Sequence, residues 1–89
     1  MSRWLKAKTR KSGTRTSPRA KAVFRRLARR LRDLRKSSGL TQEEAAERAG
    51  LDSKTLQDFE RGETNPTLAS LAAIADAYDV TLADLFDGV

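Results

Sequence analysis

The 89-residue chain carries 18 Lys and Arg against 12 Asp and Glu, a net charge of +6, and 38% hydrophobic residues, enough for one small domain. It has no cysteine and no histidine, which excludes disulfide frameworks, Cys/His zinc sites, thiolate nucleophiles and Ser-His triads. No apolar run reaches the roughly 18–20 residues of a membrane span, and the basic start lacks the apolar stretch of a signal peptide. The expectation is a cytoplasmic, non-enzymatic chain with no metal, no cofactor and no membrane partner, since no neutral general base or activated nucleophile is present.

The charge is divided. Residues 1–36 carry a net +14, with Asp33 as their one acid, and residues 37–89 carry a net −8. So dense a basic block attracts polyanions by summed potential and counterion release. Residues 1–16 have little apolar content beyond Trp4 and Leu5 and are expected to form a disordered basic arm. The alternative for this arm is a solvated tail that only aids solubility.

The domain is expected over residues 17–89. Ser17-Pro18 reads as an N-cap with proline at the first helical position. Ala20, Phe24, Leu27, Leu31 and Leu34 then recur at steps of three and four, one stripe of an amphipathic helix that Gly39 stops. Thr41 and Glu44 form a capping box opening a short helix through Ala49, with Gly50 as its stop. Asp52 is expected to cap a third helix, Ser53 to Arg61, with Leu56 and Phe59 inward. Gly62 to Pro66 is loop chemistry. Thr67 caps a fourth helix carrying Leu68, Leu71, Ile74, Ala75 and Tyr78. Thr81 caps a last short one with Leu82, Leu85 and Phe86. Nothing reads as a strand, so the fold class is all-α, with five helices.

Two short helices joined by Ala49-Gly50-Leu51, the second polar on its outer face, form a helix-turn-helix unit at about residues 41–61. The surrounding pieces stand in order: Leu34 to Leu40, Thr41-Gln42-Glu43-Glu44, Ala46, Ala49-Gly50-Leu51, Phe59-Glu60-Arg61-Gly62, Asn65-Pro66 and Leu71 to Ala75. Together they resemble the Xre family, the phage repressor and Cro type of helix-turn-helix regulator, from about Phe24 to Phe86. The resemblance implies a lambda-repressor-like DNA-binding domain and a sequence-specific transcriptional regulator, a repressor, acting on double-stranded DNA. It also implies a structural ion pair between Arg35 and Glu60, and a phosphate contact from Gln42 aided by free N–H groups at the helix start.

With Leu56 and Phe59 inward, 100° steps put Lys54, Gln57, Asp58 and Arg61 on the outer stripe of the third helix. Ser53 sits at the N-terminus that enters the major groove in such units. Ser53, Lys54 and Gln57 are the base-edge candidates, because Lys reaches guanine O6/N7 and Gln pairs bidentately with adenine. Plain solvated surface is the alternative for Lys54 and Gln57. Asp58 either accepts from cytosine N4 or, the favoured reading, forms a surface pair with Lys54 and Arg61.

Two other functions fit the same pattern. One is the antitoxin of a toxin–antitoxin pair, with a toxin as partner. The other is a protein- or RNA-interaction module that uses the basic arm. A homodimer is expected to use the last two helices, with Leu82, Leu85, Phe86 and Val89 as candidates.

Overall fold

Proline at a helix start removes an N–H that would go unpaired, and Ser17 accepts the next one: its Oγ takes the Ala20 N–H at 3.1 Å. This opens α1 (Pro18–Ser37) in a computed structural model that describes residues 17–89. Helices α2 (Gln42–Ala49), α3 (Ser53–Arg61), α4 (Leu68–Ala77) and α5 (Leu82–Leu85) follow, with no strand among the described residues. The arm expected over residues 1–16 lies outside the described residues.

Caps set most of the boundaries. Thr41 and Glu44 exchange bonds at 3.1 and 2.9 Å, and that bond to the Thr41 backbone holds the Glu44 carboxyl below its usual range. Thr81 and Asp84 form a second reciprocal box at 3.0 and 3.3 Å. Asp52 departs from expectation. It occupies the N-cap position of α3 with extended backbone, but its side chain makes no capping bond. After α4 the left-handed stop falls on Asp79 at φ 58°, where glycine would be unstrained.

One core joins the five helices. Leu31, Leu56, Ile74 and Leu85 are its largest fully buried side chains, with Leu27, Leu40, Phe59, Leu71 and Tyr78 around them. Burial of this kind is the main favourable contribution in a domain this small. Leu51 is only half-buried at the edge of the cluster. Leu68, on the first turn of α4, is 67% exposed rather than inward. Leu85 corrects a further expectation: with 0% exposure it is core, and cannot face a second copy.

Helix α1 packs on α3 along one edge and on α5 along another. The first crossing is close because residue 62 is glycine. Its φ is 76°, and a Cβ there would stand 3.2 Å from the Phe24 carbonyl, Arg25 Cα and Ala28 Cβ. This crossing brings the basic face of α1 alongside the last turn of α3.

Candidate nucleic-acid interface

Glu60, near the end of α3, is the buried charged residue of the described domain, at 3% exposure. A carboxylate in that position needs partners on both oxygens. Arg35 supplies two bonds, Nε to Oε2 at 2.7 Å and Nη2 to Oε1 at 3.1 Å. Its remaining Nη1 donates to the Leu40 carbonyl at 3.0 Å, tying the end of α1 to the approach to α2. The bond to Glu60 also raises the Arg35 guanidinium above its ordinary pKa. Arg32 Nη1 donates to the Glu60 backbone carbonyl, where the α3 dipole is negative.

Gln42 is the first helical residue of α2, and its Nε2 donates to Glu60 Oε1 at 3.0 Å. The resemblance implied a phosphate for Gln42, and nothing in the sequence pointed to this bond. One amide hydrogen is taken by the carboxylate and the other remains a donor. The α2 N-terminus is therefore fixed to the end of α3 through a single carboxylate.

The outer face of α3 carries the remaining candidates. Lys54, Gln57 and Arg61 are exposed, and Ser53 is half-buried at the helix start. Asp58 stands between two cations: its Oδ1 lies 3.9 Å from Lys54 Nζ and 3.3 Å from Arg61 Nη1. These surface pairs are weak, and both cations keep free donors. A groove of about 390 Å³ connects this face to α1, lined by Arg32, Arg35, Lys36, Gln42, Gln57, Glu60 and Arg61. Four cations and two amides around one buried carboxylate give it a surplus of donors, the chemistry that suits phosphate oxygens.

Arg32 and Lys36 belong to this groove, yet the sequence singles out neither as a site residue: both stand in the basic block, and Lys36 also in the matching run Leu34 to Leu40. The signal was available: they are four residues apart, on the α1 edge that also carries Arg35. Tyr78 was read as an apolar contact. It is buried, but its hydroxyl has no hydrogen-bond partner among the described residues. Burial, with the Glu60 charge adding to it, pushes the phenol up to about 12.

A helix-turn-helix family model matches residues 31–85, from the middle of α1 through α5. The chain is 42% identical over 64 residues to the HTH-type transcriptional regulator DdrOP3 of Deinococcus deserti, covering 72% of this chain and 50% of that protein. It is 39% identical over 54 residues to the immunity repressor protein of Bacillus phage phi105, covering 61% of this chain and 38% of that one. This chain thus spans half or less of these two relatives. The crystal structure of the restriction-modification controller protein C.AhdI from Aeromonas hydrophila superposes with a TM-score of 0.70 at 36% identity, covering 72% of this chain and 97% of that chain.

Proposed function

The chain belongs to the helix-turn-helix family, and we propose that it is a DNA-binding transcriptional regulator that reads its target by laying α3 in the major groove. The observation that carries this reading is the division of α3 into two faces. Leu56, Phe59 and Glu60 are buried, while Lys54, Gln57 and Arg61 stand in solvent with free donors. Any amphipathic surface helix has a polar face; this stripe in addition runs into the donor-lined groove that Gln57 and Arg61 share with Arg32, Lys36 and Gln42.

In this reading Ser53, Lys54 and Gln57 meet base edges, and Asp58 holds Lys54 and Arg61 in place between bound states. Gln42, Arg32, Lys36 and Arg61 grip phosphates on the flank. Residues 1–16 add six cations and no acid, supplying counterion release that the acidic half of the chain lacks. In this reading the regulator acts as a repressor, since a domain seated in the groove blocks other proteins from that stretch of duplex, and a phage immunity repressor is among the relatives it resembles.

A dimer is the second part of the proposal. Phe86 on the last turn is 39% exposed, with half-buried Leu82 and Val89 beside it. An isologous contact there would present two α3 helices to a palindromic site. Selecting bound duplexes from a random pool with the purified chain, at two salt concentrations, tests both parts. An enriched motif with dyad symmetry is the expected result. Equal recovery of all sequences would overturn the groove reading, and an enriched motif without symmetry would overturn the dimer.

A further inference from the structure

Two arginines of α1 hold the segment that follows α5. Arg30 donates to the Asp84 carbonyl from Nε at 3.1 Å and from Nη2 at 2.7 Å, and Arg26 Nε donates to the Val89 main-chain oxygen at 2.8 Å. Arg26 and Arg30 stand about one turn apart on α1, and the two oxygens they hold bracket Phe86. Between these ties the segment closes on itself. Asp87 N–H donates to the Asp84 carbonyl at 3.1 Å and Val89 N–H to the Phe86 carbonyl at 2.9 Å, with a reversal at Gly88, φ 78°. The last carbonyls of a helix lack helical partners, and a guanidinium suits them in both hydrogen bonding and charge.

The opposite side of the same helix holds α3. Ala28 lies against Gly62, Arg32 donates to the Glu60 carbonyl, and Arg35 to the Glu60 carboxylate. Arg30 and Arg32 are two 100° steps apart, so they grip the C-terminal ends of two other helices on different sides of α1. Helix α1 is thus the bar that relates the reading helix to the exposed Phe86 turn. Packing alone would relate them loosely. Helix α5 has four residues and one buried side chain, Leu85, about which so short an element can pivot. Two polar ties spaced along α1 remove that freedom.

We propose that Arg30, with Arg26, is a positioning residue for half-site spacing: it fixes the Phe86 turn against α1, and so the distance and phase between the two α3 helices of a dimer. This rests on the dimer reading and names the residues that make such a dimer read one separation. One base pair of spacing displaces a half-site by about 3.4 Å along the duplex and about 35° around it. A turn held by Leu85, Arg26 and Arg30 resists that displacement, and a turn held by Leu85 alone follows it.

The test binds the full chain to duplexes carrying the two halves of its selected motif at the selected separation, and at one and two base pairs more or less. Protein concentration is set where sedimentation shows parent and variants dimeric. The parent is expected to prefer its own separation over a one-base-pair change by about tenfold, and Arg30→Met by about threefold or less, as coupling between the halves weakens. Affinity for an isolated half-site should stay within about twofold of the parent, since a side chain committed to Asp84 takes no part in base reading. Arg30→Lys keeps the charge but not the fork and should fall between the two. Arg26→Met removes the other tie and should relax the preference in the same direction. Arg29→Met takes one charge from the adjacent, exposed position, which makes no hydrogen bond among the described residues, and should keep the parent's preference. An unchanged preference in both Arg30→Met and Arg26→Met would overturn the proposal. Equal relaxation in Arg29→Met would also overturn it, assigning the effect to charge. An Arg30→Met protein that cannot be brought to dimer would overturn it too, making the arginine part of the interface itself. A parent that stays monomeric, or selects a motif without dyad symmetry, would overturn the dimer reading and the positioning role with it.

Discussion

Gln42 and Glu60 are joined by a 3.0 Å hydrogen bond from the first residue of α2 to a carboxylate buried near the end of α3. The same carboxylate takes two bonds from Arg35, so one residue fixes three helices relative to one another. The relative placement of the α2 start and the α3 outer face, which any groove-reading function needs, is thus set by an ionic cluster in the core. Apolar packing alone permits small slides of short helices; a bidentate guanidinium with a third donor permits far less.

Arg35→Met should therefore destabilise the domain by about 3–5 kcal/mol, because it leaves Glu60 buried without its partner. Arg35→Met combined with Glu60→Leu should recover much of that loss, since both charges are then gone from a site already shielded from water. Denaturant unfolding of the four proteins of the cycle measures this. Additive losses would show that the two residues act independently.

Lys54→Ala and Gln57→Ala should each weaken binding to the selected motif by about 1–3 kcal/mol while leaving binding to unrelated duplex nearly unchanged. Both side chains are exposed and pack on nothing in the core, so folding should be unaffected. Anisotropy titrations with motif and scrambled duplexes report the two affinities side by side. Parent-like motif binding by both variants would remove the outer face of α3 from base reading.

Much of this organisation is legible in the sequence because caps and stops are local. Ser17-Pro18, the Thr41/Glu44 box, Gly50 and Thr67 each act on backbone groups within four residues, and the helices fall between them. Three features escaped for a common reason. The Gln42–Glu60 bond, the burial of Leu85 and the grip of Arg30 on the Asp84 carbonyl depend on how separate helices meet. In a four-residue helix, periodicity cannot say which apolar side chain points inward. Asp52 shows the converse, a residue of the right type at the cap position whose carboxylate makes no capping bond.

Tyr78→Phe should be neutral or stabilising by about 1 kcal/mol, because it removes a buried hydroxyl that has no partner. The pH dependence has a definite sign. The folded phenol holds its proton up to about 12, whereas the unfolded one releases it near 10. Its contribution to stability is complete below pH 10 and is lost as pH rises from there through 12. The stability difference between Tyr78→Phe and the parent should therefore widen over that interval. A constant difference from pH 8 to pH 12 would contradict the raised pKa.

Phe86→Glu should abolish self-association while leaving the protomer folded. Phe86 is the exposed large aromatic at the end of α5, and Leu85 beside it already supplies the buried contact that holds this turn to the core. Replacing an apolar side chain at a self-complementary contact with a carboxylate sets two negative charges against each other across the two-fold axis. Asp84 and Asp87 flank the position, which strengthens the repulsion. Sedimentation velocity should show the parent shifting towards dimer with concentration and the variant remaining monomeric, with thermal midpoints within a few degrees of each other. Binding to a palindromic motif should lose its cooperativity, whereas affinity for an isolated half-site should stay near the parent value. A variant that dimerises as the parent does would move the interface off this turn, to Leu68 at the start of α4, the most exposed large hydrophobic of the described domain.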